Sequence, residues 1–259
     1  MTTTLAIANQ KGGVAKTTSV ASIGAALGEL GRSVLLVDLD PQACLTFSLG
    51  IDPEDLEISV HHVLTKGIDP TEVILTTDDG VDLLPATIEL ARAEADLLTR
   101  TGREHVVRGV LEQLAEAGRS YDWVLLDCPP SLGVLTVAAL TAADGVLVPL
   151  QCETLSHRGV GQLLDTVHDV RRFTNRGLEV WGVLPTLYDG RTNHSRTVLE
   201  TIAETYQLEV VEPPIPKTIK FAEAPAAGRS ILATSRTSKG AQAYREVAAN
   251  LIGRAERAR

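Results

Sequence analysis

The sequence predicts an α/β fold, a doubly wound and mostly parallel sheet flanked by helices. Short, continuously apolar runs alternate with amphipathic segments of helical period along the chain, as βαβ units require. The runs are too apolar for a sheet with one wet face, so they are expected as buried parallel strands. Aromatic residues make up only 3% of a chain that is 44% hydrophobic. The core must therefore be built from Val, Leu, Ile and Ala, which suits helices packed on such a sheet.

The expected strands are residues 5–9 ("LAIAN"), 33–38, 81–86, 123–127, 145–151, 180–185 and 208–211. Helical period covers 16–30, 87–100, 104–117, 157–174, 193–206 and 239–252. Residues 50–80 are acidic, contain Pro53 and Pro70, and read as a surface excursion with a short helix near 57–65. At 259 residues, a single domain over 1–259 is the expected organisation. Ligands of such a sheet are expected at the carboxyl ends of its strands.

Composition excludes several classes. No apolar run approaches the roughly 20 residues that span a bilayer, and the first residues lack a signal-peptide pattern, so a cytoplasmic chain is expected. The final stretch "ANLIGRAERAR" offers one apolar pair, Leu251 and Ile252. It makes a poor membrane-binding helix and is expected to fray. Cys44, Cys128 and Cys152 contain no C-x-x-C pair, which argues against a disulfide framework or a zinc site and for small buried or half-buried residues. His61, His62, His105, His157, His168 and His194 show no metal-ligand spacing and are expected in exposed or capping roles. The net charge of −9 divides unevenly: residues 1–154 hold 9 basic against 22 acidic side chains, residues 155–259 hold 15 against 11. The second half could meet a polyanion.

One stretch carries chemistry. "AIANQKGGVAKTT", residues 6–18, runs from a strand through a glycine-rich turn into a helix. That is the context in which Gly-x4-Gly-Lys-Ser/Thr cradles phosphates. Aligned on Lys16 and Thr17, it places Gln10 and Ala15 at the two glycine positions and adds a second lysine, Lys11. Gly12 and Gly13 let backbone N–H groups approach phosphate oxygens, and the helix N-terminus adds partial positive charge. Lys16 would reach the β- and γ-phosphates, and Thr17 would offer its hydroxyl to Mg²⁺. "LLVDLDPQ" sets Asp38 and Asp40, and "VLLDCPPS" sets Asp127, at strand ends on the same edge. Carboxylates there hold Mg²⁺, usually through water, or orient an attacking water.

In this order "KGGVAKTT", "DLDPQ" and "DCPPS" resemble the deviant-Walker P-loop ATPases of the ParA/Soj family, a group that includes MinD and the nitrogenase iron protein. The resemblance continues through "LPATIELARAE", "VPLQCE", "TLYDGRTN", "IPKTIKFAEAP" and "SKGAQAY", nearly the whole chain. It implies ATP/ADP and Mg²⁺ as cofactors, bound by Lys11, Gly12, Gly13, Val14, Ala15, Lys16, Thr17 and Thr18, with Pro216 and Thr218 at the adenine. It implies Mg²⁺ at Thr17, Asp40 and Asp127. Lys11, Lys16 and Asp40 become the catalytic residues of a slow ATPase. Lys11 is implied to reach the partner's phosphates across an ATP-sandwich homodimer, where Gly12 must stay small.

The family pattern further implies non-specific DNA binding through Arg191 and Lys220, a ParB-like activator, and a cytoplasmic, nucleoid-associated life without membrane. Arg158, Arg171, Arg172 and Arg176 could enlarge the basic surface, although a solvated helix face is their ordinary fate. With five residues before "AIANQ", no helix-turn-helix is expected ahead of the loop. Two departures stand out: Ala15 at a glycine position, costing on the order of 1 kcal/mol if φ is positive there, and Cys44 where "DPQGN" has Asn. The alternatives are a MinD-like membrane-associated ATPase, a cluster-bearing electron donor, and a metabolic P-loop ligase that activates a small substrate.

Overall fold

The computed structural model describes residues 2–153, 156–190 and 193–257. Seven strands form one sheet: β1 (Thr3–Ile7), β2 (Val34–Asp38), β3 (Leu75–Thr76), β4 (Asp82–Leu84), β5 (Trp123–Asp127), β6 (Gly145–Gln151) and β7 (Glu179–Thr186). Their order is β3-β4-β2-β5-β1-β6-β7, and every pairing is parallel except the short edge pair β3 with β4. Alternate side chains feed two cores. Leu5, Ile7, Val34 and Leu36 pack with α1 (Lys16–Glu29) and α11 (Lys239–Arg257) on one face. Ala6, Ala8, Leu35 and Val37 pack on the other with helices that include α3 (Val60–Lys66), α4 (Leu90–Leu98), α5 (Val106–Glu116), α6 (Val134–Ala142), α7 (Ser156–Phe173) and α8 (Asn193–Tyr206). The chain leaves β1 over the first face and β5 over the second, which opens a crevice at their carboxyl ends.

Six of the seven expected strands form, with ends shifted by a few residues. Residues 208–211 make only a single parallel bridge, Val183 with Val210, because Pro213 and Pro214 follow at once and cannot donate to a ladder. β3 has no sequence signal beyond the Asp79-Gly80 turn, being two exposed residues. The helix α6 is likewise absent from the expected set. Its Leu135, Ala138, Ala139 and Leu140 are all buried, so it is apolar all round and lacks the 3.6-residue stripe that reveals a surface helix.

Two corrections concern surfaces. The segment 50–80 is not a mere excursion, since Val60, His61, His62, Val63 and Leu64 of α3 are buried. His61 and His62 therefore sit inside, edge to face at 5.1 Å, rather than in exposed or capping roles. The chain end does not fray within the described residues: α11 continues to Arg257 with Leu251 and Ala255 buried.

The loops that follow β1 and β2 both turn through the left-handed region at alanine. Ala15 (φ 63°) precedes α1, and Ala43 (φ 51°) precedes α2 (Cys44–Ser48). A Cβ there crowds the next carbonyl at a cost of about 1–2 kcal/mol. The cost foreseen at Ala15 is thus incurred, and Ala43 adds a second that the sequence reading missed. Ala15→Gly and Ala43→Gly should each stabilise the chain by about 1 kcal/mol, raising Tm by roughly 2–4 °C, measured by thermal unfolding. An unchanged or lowered Tm would mean that the loops do not hold these backbone angles in solution.

Candidate active site

Register brings the carboxylates together. Ile7 pairs with Asp127, and Asp127 with Asp38, across β1, β5 and β2. The three strands end flush, with the glycine-rich loop leaving the first and an aspartate closing each of the others. Backbone and side-chain bonds then suspend the loop. The Asn9 amide donates to the Pro149 carbonyl at 2.8 Å and its Oδ1 accepts from the Lys11 N–H at 3.0 Å. The buried Thr186 hydroxyl donates to the Val14 carbonyl at 2.9 Å. The ends of β6 and β7 thereby fix the two halves of the loop.

Glycine is required at one position of the loop and free at the other. Gly13 adopts φ 73°, whereas Gly12 has no positive φ, and a Cβ on it would meet nothing within 4 Å. Lys16 is only 7% exposed, its ammonium donating to the Lys11 carbonyl at 3.3 Å. Burial lowers its pKa, and the nearby Asp127 carboxylate is the main opposing influence. The Lys11 ammonium lies 2.5 Å from Glu153 Oε2, held by a carboxylate of its own subunit.

The three strand-end carboxylates divide their work. Asp38 is fully engaged: Oδ2 accepts from the Thr46 N–H at 2.9 Å and the Thr46 hydroxyl at 2.7 Å, and Oδ1 accepts from the Asp40 N–H at 3.1 Å. Thr46 in turn accepts from the Ala86 N–H at 2.9 Å. Asp38 is thus a fastener of the Asp40–Thr46 loop, and sequence position alone did not separate it from the other two. Asp40 uses one oxygen to accept from the Gln42 N–H at 2.9 Å. Asp127 is the odd one: both oxygens are fully buried with no hydrogen bond of good geometry, and only the Thr17 hydroxyl lies close enough to favour their charge.

A buried carboxylate in that condition costs several kcal/mol unless it is protonated or meets a cation. Burial, then the adjacent Asp38, push the Asp127 pKa well up, with Thr17 and Lys16 pulling it back. Burial also raises Asp38, to about 6, against the bonds from Thr46. The donor set thus fits a hard divalent cation. Among the described residues no cluster of three His, Cys, Asp or Glu side chains forms a cage of its own. An ion here would rely on the Thr17 hydroxyl, phosphate oxygens and water, the usual environment of Mg²⁺.

The remaining expected residues lie at the margins. Pro216 and Thr218 are half-buried beyond β7, Pro216 bridging Tyr188. Lys220 opens α9 (Lys220–Glu223), exposed and paired with Glu223 at 2.9 Å. Arg191 lies outside the described residues. Arg171 donates to the Leu178 carbonyl at 2.6 Å, and Arg172 covers the Phe173 ring at 5.0 Å. Cys128 and Cys152 are buried, and Cys44 is exposed beside Asp40.

Asp127→Asn tests the carboxylate reading. It removes a charge that the unliganded fold disfavours, so Tm without ligand should rise by a few degrees, while the Tm gain from Mg-nucleotide should shrink. Loss of Tm in both conditions would refute it. The pH dependence follows from Asp38. It keeps its proton to about pH 6 in the folded chain and to about pH 4 in the unfolded one. Folded chains bind the extra proton between these values, so the Asp38 contribution to unliganded stability falls as pH rises through the window, and Asp127, whose pKa is also pushed well up, adds a fall of the same sign. Thermal unfolding from pH 4.5 to 7.5 should show this slope, reduced in Asp38→Asn.

Comparison with known proteins agrees with this geometry. Residues 2–180 match the family model described as an AAA domain. The sporulation initiation inhibitor protein Soj of Bacillus subtilis is 42% identical over 251 residues, 95% of this chain and 98% of that protein. The chromosome partitioning protein ParA of Caulobacter vibrioides is 40% identical over 251 residues, 96% of this chain and 94% of its own. Among solved structures, cobyrinic acid a,c-diamide synthase from Mycobacterium smegmatis with bound ADP and magnesium superposes with a TM-score of 0.88. It is 56% identical, covering 100% of this chain and 97% of that one. With relatives 40% and 42% identical over nearly their whole length, the chain belongs to the Soj/ParA family of P-loop ATPases.

Proposed function

We propose that the chain, as one domain over residues 1–259, is a ParA-type ATPase that pairs around two ATP molecules and binds DNA without sequence preference in that state. It would hydrolyse ATP slowly, and a ParB-like partner would accelerate it to move or position a cargo over the nucleoid. Gly12 carries the reading. The subunit needs no glycine there, having neither a positive φ nor a neighbour within 4 Å. Smallness at that point would serve what lies beyond the subunit's own atoms, a closely held phosphate or the facing loop of a second subunit.

Bound Mg-ATP would supply the electrophilic phosphorus and a divalent charge that neutralises phosphate oxygens. The loop from Lys11 to Thr18 would hold the phosphates through its N–H groups and Lys16, and Pro216 and Thr218 would flank the adenine. Thr17 would hold the ion directly, Asp40 and Asp127 through water. The free oxygen of Asp40 would orient the attacking water. Lys11 of a second subunit would add a cation where charge develops, as an arginine finger does. Hydrolysis is then slow in an isolated subunit, which lacks that cation. Arg191 and Lys220 would meet DNA phosphates on the more basic second half of the chain.

The likeness to a diamide synthase favours a second reading, an ATP-dependent amidation of a carboxylic acid. Glutamine-fed amidation needs an activated thiol with a lowered pKa. Here all three thiols are raised, each chiefly by burial: Cys44, Cys128 well up, and Cys152 to about 11. The observations therefore support the partition-type cycle more strongly. The membrane-associated alternative has little to rest on, since α11 is spent on the core, with Leu251 and Ala255 buried.

Gly12→Val should leave Tm near wild type while abolishing dimers in a non-hydrolysable ATP analogue, measured by light scattering, with ADP binding measured alongside to separate a lost phosphate contact from a lost dimer. DNA binding should appear only in the analogue-bound wild type. The slope of log affinity against log salt should lose about 1 per phosphate contact removed in Arg191→Ala or Lys220→Ala. A chain that binds no DNA in any nucleotide state, yet turns over ATP with a carboxylic acid and glutamine or ammonium, would establish the second reading instead.

A further inference from the structure

Lys11 belongs to the same rigid frame as the carboxylate that holds it. Asn9 binds the Lys11 N–H and anchors on the Pro149 carbonyl of β6. Glu153 follows β6 by two residues, its N–H turned back onto the Gln151 carbonyl at 2.8 Å. The first turns of α7 close over both. A Cβ on Gly159 would lie 3.3 Å from Asn9 Oδ1 and 4.0 Å from Lys11 Cβ, so the helix packs close against the loop and a side chain there would press on Asn9. The Lys11 ammonium and Glu153 Oε2, 2.5 Å apart, have side chains 30% and 52% exposed. The loop and the end of β6 thus present the pair ready-made at the mouth of the phosphate site.

We propose that Glu153 is a positioning residue for Lys11. In the unliganded subunit it holds the Lys11 ammonium in cis, and its release sets the threshold for ATP-dependent pairing of two subunits. The second clause rests on the dimer reading above. The physical argument is one of competition. An ammonium already neutralised by a carboxylate of its own chain must give up that contact before it can meet a phosphate of another. The pair is solvent-accessible, so the contact is weak enough to be exchanged and is screened by salt.

Glu153→Gln and Glu153→Asp test this in the full chain with two readouts. The first is modification of Lys11 by an amine-reactive reagent without nucleotide, read by mass spectrometry against the exposed Lys66. The second is the dimer dissociation constant in Mg²⁺ and a non-hydrolysable ATP analogue, by sedimentation. Glu153→Gln should label several-fold faster and dimerise about threefold to tenfold more tightly, whereas Glu153→Asp should stay near wild type. The dimerisation gap should close in about 1 M salt, where the Debye length is near 3 Å; a merely structural role would not respond to salt in this way. Unchanged labelling, or dimers of Glu153→Gln no tighter than wild type, would overturn the proposal. If Glu153→Gln labels faster but wild type stays monomeric with the analogue, the cis pairing stands and the dimer reading is what fails.

Discussion

The site depends on one constraint, the flush termination of β1, β5 and β2. Parallel register places Asp127 between Ile7 and Asp38 and so buries two carboxyls side by side at the mouth of a glycine-rich loop. Two adjacent buried carboxyls repel when ionised, and burial alone already favours their neutral forms. The fold resolves the conflict unequally. Asp38 receives three hydrogen bonds and becomes structural, while Asp127 has only the Thr17 hydroxyl close by and remains dependent on what enters the crevice. Lys16 answers only part of that demand, since its own charge is opposed by burial. The protein's own groups leave the charge of this site unbalanced, and a divalent cation with phosphate is the chemistry that completes it.

The same constraint explains why the two loops are strained. Each must turn sharply from a strand end into a helix N-terminus within a few residues, so that helix dipole and N–H groups face the crevice. A left-handed residue achieves the turn, and glycine would do so without penalty. Alanine at 15 and 43 makes both turns costlier while narrowing the unfolded chain's choices less than the strain outweighs. The hydrogen bonds from Thr186 to Val14 and from Thr46 to Asp38 hold these conformations in place. At Ala15 and Ala43, loop geometry is therefore imposed by the strand ends against the local preference, whereas Gly13 accommodates it freely.

Much of this was legible beforehand, for physical reasons that also mark its limit. Buried parallel strands announce themselves as apolar runs, and amphipathic helices by period, so the sheet and most helices could be read directly. The helix α6 could not, because burial on all sides erases the period, and the bridge at Val210 could not, because its truncation depends on the prolines after it. Within the site, the loop and the strand-end aspartates were readable from residue type and order. What separates Asp38 from Asp127 was not, since it lies in Thr46, eight residues away and meaningful only once α2 folds back. The pairing of Lys11 with Glu153 spans 142 positions and has no local signature at all.

That last pairing belongs to a pattern. Lys11 is held by Glu153 and Lys220 by Glu223, and Lys16 lies among Asp127 and Asp40. Every described cation assigned to an anionic ligand has a carboxylate of its own chain at hand. Surface pairs of this sort contribute about 0–1 kcal/mol, too little to stabilise the fold appreciably. They are nonetheless enough to change the occupancy of a competing contact severalfold. A chain with net charge −9 cannot rely on bulk attraction to gather polyanions. It is better described as carrying cations already neutralised and exchangeable. Binding then consists of partner exchange at each lysine, in which a phosphate displaces a carboxylate. Because the exposed carboxylate released is rehydrated, the exchange costs little when the phosphate presents more charge than the group it replaces. On the proposed reading, nucleotide state would set affinity by deciding which lysines face a phosphate, without any change in the protein's own charge.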